Sequence, residues 1–112
     1  MPENKYTFVP DLFNEGELPE TAMTSRILHK DERFNITLFG FAAGHELKTH
    51  SVPIPALIYV VEGEGEFDLG GETVQVKAGS FIRMEPLLPH ALRAETALRM
   101  LLVQVKGSEG RR

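Results

Sequence analysis

Two histidines forty residues apart, His50 and His90, are the side chains in this sequence best suited to chemistry. A neutral imidazole can ligate a transition metal, carry a proton near neutral pH or hydrogen-bond a small molecule. His45 and Glu46 stand in a loop just before the strand that carries His50. A His45–His50–His90 set, with water in the open positions, would supply the three donors that a retained metal site usually needs. Gln75 and Glu85 are weaker donors, and Gln75 faces outward because Val74 and Val76 flank it. The opposing reading makes His50 and His90 pocket-lining groups that bond a ligand, each other or water, with His45 a solvated loop residue. His29, beside Lys30-Asp31-Glu32, reads as a surface residue at a strand end.

Other chemistries find little support. The chain has no Cys, so disulfides, thiolate nucleophiles and thiolate metal sites are excluded. Ser51 points to the face opposite His50 in a regular strand. Gly63-Glu64-Gly65 reads as a hairpin turn, since no helix follows it as a dinucleotide loop would require. Glu62, Glu64, Glu66 and Asp68 recur with a period of two, on one strand face. Acid–base work needs burial and a second wall, so this run reads as a solvated hairpin. Met84 and Met100 read as core fillers.

The elements that must position the histidines are strands. Residues 1–21 form an arm, in which Tyr6, Phe8, Val9, Leu12 and Phe13 are apolar anchors and Pro10, Gly16 and Pro19 interrupt regular structure. So many large apolar groups call for docking, on the arm's own barrel or on a partner subunit. Residues 22–107 carry the short strands, and residues 108–112 read as a frayed tail. Strand-like runs fall at 24–28, 34–41, 47–51, 57–62, 66–69, 72–77, 80–84, 90–94 and 97–106. Gly63, Gly65, Gly70-Gly71 and Gly79 punctuate them as turns, and Pro53, Pro55, Pro86 and Pro89 interrupt the ladder. Only 21–30 offers a competing helical reading. Strands this many and this short predict an all-β fold closed on itself as a jelly-roll barrel, which hides most strand edges. Alternation from His50 then turns Val52, Ala56, Ile58 and Val60 inward, with Ile82, Met84 and Leu92 on the opposite wall. Tyr59 and Val61 face out, against another sheet or subunit.

A chain of 112 residues holds one ordinary domain. A net charge of −4, with no basic cluster apart from Arg111-Arg112, argues against nucleic acid. No apolar run approaches the roughly 20 residues of a membrane helix, and the polar, acidic N-terminus lacks the pattern of a signal peptide. With no Cys, the expected location is the cytoplasm.

The chain resembles the small single-domain cupins. Their first motif appears as Gly44, His50 and Gly63, with Val52 and Ala56 where a second His and a Glu would stand; the second appears as Gly79, Pro86, Pro89 and His90. The resemblance covers about residues 35–105. It implies a double-stranded β-helix barrel, commonly a homodimer, that in metal-binding members holds manganese, iron, nickel, copper or zinc. Activities in the family include dioxygenases and isomerases, and other members bind sugars, sense or store. The leading reading is a small cupin barrel with a metal-capable small-molecule pocket around His50 and His90, His45 assisting, with the reaction unassigned and a metal-dependent dioxygenase or isomerase as the enzyme it would be; the alternatives are a metal-free small-molecule binder or sensor, and a structural or interaction module with a vestigial pocket.

Overall fold

The computed structural model describes residues 5–107. The expected frayed tail at 108–112 lies outside the described residues. The strands are β1 (Met23–Lys30), β2 (Phe34–Phe41), β3 (Glu46–His50), β4 (Ala56–Glu62), β5 (Glu64–Leu69), β6 (Glu72–Lys77), β7 (Phe81–Met84), β8 (His90–Ala94) and β9 (Leu98–Val105). Residues 21–30, the one stretch with a helical alternative, are largely strand β1. All pairings are antiparallel, in a five-stranded sheet β1-β2-β9-β4-β7 and a four-stranded sheet β3-β8-β5-β6. This is the all-β jelly-roll barrel that the strand spacing predicts.

The core lies between the two inner faces. Phe41, Ile58, Val60, Phe67 and Leu98 are its largest fully buried side chains, each stabilising the fold by roughly 1.5–3 kcal/mol through burial. The chain passes repeatedly between sheets, and this corrects one expected turn. Glu62–Gly65 is not a hairpin, because β4 and β5 lie in different sheets. Gly63 carries the crossing with φ of +94°, and a Cβ there would stand 2.2 Å from the Ala97 carbonyl oxygen. The β5–β6 connection is a true hairpin, with Gly70 and Gly71 both at positive φ.

The same crossing breaks up the carboxylate run. A register shift between Val60 and Glu62 sets Glu62 opposite Arg99. Arg99, only 6% exposed, donates from Nε to Glu62 at 3.0 Å. Glu62 is therefore the partner of a buried cation rather than part of a solvated hairpin. Arg99 also anchors the arm, donating to the carbonyls of Glu15 and Gly16. Leu18 and Pro19 lie over Gly40, where a Cβ would come within 3.2 Å of either side chain. This half of the arm docks on its own barrel and includes one short 3-10 turn, Leu12–Asn14. Tyr6 and Phe8, further out, remain 81% and 75% exposed.

Candidate pocket at the barrel mouth

His50 and His90 meet as directly opposed residues of β3 and β8. Their ring centroids are 4.3 Å apart and the planes are tilted by 56°. A β-bulge makes this possible. Leu47 and His50 are three residues apart, so strict alternation would put them on opposite faces. The register shift between them turns both toward the cavity.

Each ring is oriented by backbone. His50 Nδ1 lies 3.1 Å from the Lys48 carbonyl oxygen, and His90 Nδ1 lies 2.9 Å from that of Leu88. A carbonyl can only accept, so each neutral ring carries its proton on Nδ1 and presents Nε2 as a lone pair. The mouth loops are tied together next to them. The Leu87 N–H donates to the Val52 carbonyl at 2.7 Å, and Leu87 adopts a positive φ of +71°. An exposed leucine held in the left-handed region is strained, and it stands between Pro86 and the Pro89-His90 pair.

The cavity behind the mouth has a volume of about 90 Å³. That is well below the roughly 300–1,000 Å³ of pockets for drug-sized ligands. Of the residues expected in its wall, Val52, Ala56, Ile58, Met84 and Leu92 are there. Val60 and Ile82 are buried in the core instead and do not line it. His45 is also elsewhere: it is absent from the cavity wall, and its ring stacks on Phe41 at 5.9 Å. The loop before β3 holds it there, its N–H donating to the Ala42 carbonyl. Glu85 pairs with Arg83, and Gln75 is exposed and donates to Glu66.

Sequence reading passes over Gln104, which lines the cavity. On β9 it lies between Asn35 of β2 and Ala56 of β4. Its parity with Met100 and Leu102, both also in the wall, is the signal that marks it. Asn35, its cross-strand neighbour, has its side-chain oxygen buried without a hydrogen-bond partner.

This donor set does not fit a tightly held divalent ion. Two imidazoles point to the mouth, Val52 and Ala56 offer no ligating atom, and His45 is on Phe41. Among the described residues no three His, Cys, Asp or Glu side chains are grouped to hold a metal. Glu46, the acid nearest to His50 in the chain, is exposed.

Comparison with known proteins places this geometry. The cupin domain model matches residues 37–104. A conserved protein of unknown function from Streptococcus pyogenes is 35% identical, with 94% of this chain and 92% of that one covered and a TM-score of 0.82. A cupin superfamily protein from Desulfitobacterium hafniense is 20% identical, with 96% and 95% covered and a TM-score of 0.81. A point mutant of salicylate 1,2-dioxygenase from Pseudoaminobacter salicylatoxidans, solved in complex with gentisate, is 21% identical. It matches 77% of this chain but only 26% of its own, with a TM-score of 0.71, and shares the fold. No curated protein matches. The motif match, the paired sheets and the histidines at the barrel mouth lead to one conclusion: this chain belongs to the cupin domain family.

Proposed function

We propose that this cupin is a small-molecule-binding barrel in which His50 and His90 are the polar contacts of an otherwise apolar pocket, with no resident metal. The observation that carries this reading is the pair itself: two Nε2 lone pairs, oriented by backbone carbonyls, over a cavity walled by Ile58, Phe67, Leu92 and Leu102. Such a site gives affinity through burial of apolar surface and orientation through its few polar groups. No catalytic residue is assigned. The absence of Cys suits a cytoplasmic protein.

The test is a thermal-shift screen of small uncharged molecules against protein stripped with EDTA. A ligand at about 100 times its Kd adds roughly 2.7 kcal/mol to stability. The expected result is a set of stabilising compounds whose effect disappears in His50→Leu and His90→Leu variants that still fold. Shifts unchanged in both variants would move the binding site elsewhere.

A metal-dependent enzyme is the second reading, and one feature favours it. Nδ1 bonded to a carbonyl is also how metal-ligating histidines are held. Its ion would rest on two imidazoles, with ligand or water completing the shell. Near-stoichiometric metal in untagged protein would support it.

The chain is also read as a homodimer, through the outer face of the five-stranded sheet. Tyr59 and Phe81 are cross-strand neighbours there, 43% and 63% exposed, and Leu101 adjoins Tyr59. Together with the exposed Tyr6 and Phe8, this is more apolar surface than an isolated barrel needs to show.

A further inference from the structure

We propose, resting on the small-molecule reading above, that the pocket selects a compact neutral molecule bearing a hydroxyl or N–H donor and discriminates against anions. The selection follows from an imbalance of polar groups. His50 Nε2 and His90 Nε2 are acceptors once Nδ1 is committed to the Lys48 and Leu88 carbonyls. The Gln104 side-chain oxygen adds a third acceptor to the wall. With both imidazole Nδ1–H groups committed to backbone, the Gln104 amide is the side chain among the described lining residues left to donate as well as accept. The wall thus offers more acceptors than donors, and a ligand that brings donors satisfies them.

Charge gives the second half of the selection. Among the described residues no Lys, Arg, Asp or Glu lines the cavity. A carboxylate or phosphate entering it would shed its water and meet lone pairs rather than cations, and burying an unpaired charge is costly. The apolar remainder of the wall, which includes Phe39, Phe67 and Leu102, fits a ring or a branched aliphatic body. A phenol-like molecule combines that body with one donor at its edge.

The experiment is calorimetric titration of the full-length, EDTA-stripped protein at pH 8 with 4-methylphenol, its methyl ether 4-methylanisole, and benzoate. The methyl ether keeps the apolar body and removes the donor. The expected result is binding of 4-methylphenol about tenfold or more tighter than of 4-methylanisole, because the ether brings no donor to the part-buried His90 Nε2 and its neighbours in the wall. Benzoate is expected to give no measurable heat. In His90→Phe, checked for folding by its melt, the preference for the phenol is expected to shrink while 4-methylanisole still binds. Equal affinity for phenol and ether would overturn the donor selection and leave the pocket reading standing. Benzoate binding as tightly as the phenol would overturn the exclusion of anions. No binding by any probe would overturn the proposed ligand class, while the thermal-shift screen with the histidine variants judges the pocket separately.

Discussion

His50 and His90 can be found from sequence because spacing and turn chemistry bracket them: a Gly-led loop before one and a double-proline turn before the other. Gln104 and Asn35 are hidden for a physical reason. Both faces of their strands carry apolar residues, so alternation alone does not say which face is inside. His45 misleads because nearness in sequence says nothing of reach; its ring has a better partner in Phe41. His29, read as a surface residue at a strand end, has a definite role there. Its Nε2 lies 2.8 Å from Asp31, while its Nδ1 lies 3.2 Å from the Thr7 hydroxyl of the arm. Asp31 also accepts from the N–H groups of Arg33 and Phe34, at 2.8 Å each. The His29 hydrogen bond first, then those of the Phe34 and Arg33 amides, holds the Asp31 carboxyl far below the usual carboxylate range. A folded pKa lower than the unfolded one means that stability is gained above the unfolded value, about 3.9, and lost as pH falls below it. Asp31→Asn is therefore expected to lower Tm at pH 7, with the gap to wild type closing below about pH 4. Melts between pH 2 and 7 check this; a gap that does not vary with pH would show that Asp31 acts through its shape alone.

At the scale of elements, strand positions are legible because glycines and prolines punctuate an otherwise apolar, β-branched chain. Bulges are not, since one extra residue leaves no compositional mark. The bulge in β3 brings Leu47 and His50 to one face, and the one in β4 turns Glu62 toward Arg99. The crossing at Gly63 reads as a hairpin in sequence because both need positive φ, and only packing separates them. That difference is measurable. Gly63 and Gly44 both have positive φ, but a Cβ at Gly44 would meet nothing within 4 Å, whereas at Gly63 it would also lie 2.7 Å from Leu98 Cα. Gly44→Ala is expected to cost about 1–2 kcal/mol, the left-handed backbone penalty. Gly63→Ala is expected to cost more than about 3 kcal/mol, or to abolish folding, because two backbones must separate. Chemical denaturation of both variants measures the difference; equal costs would mean that the chain crosses at Gly63 with room to spare.

For the whole molecule, the barrel is legible from the number and brevity of its strands, and the arm from its apolar content. Sequence alone leaves open whether the arm docks on itself or on a partner. Arg99 and Gly40 take its inner half onto its own barrel, while Tyr6 and Phe8 stay exposed, as does the apolar sheet face at Tyr59 and Phe81. If a second copy covers that face, sedimentation at micromolar concentration is expected to give a dimer and Tyr59→Glu a monomer with the cavity still competent to bind; a wild-type monomer would rule the dimer out. The central proposal concerns the barrel mouth: that His50 and His90 recognise a ligand there without a resident metal. Its most direct test is elemental analysis of untagged protein soaked with manganese, iron, nickel, copper and zinc and then desalted, alongside a His50→Leu/His90→Leu double variant. The expected result is far less than one ion per chain, with no difference between the two proteins. Close to one ion per chain in the wild type, lost in the double variant, would contradict the claim and make the pair a metal centre.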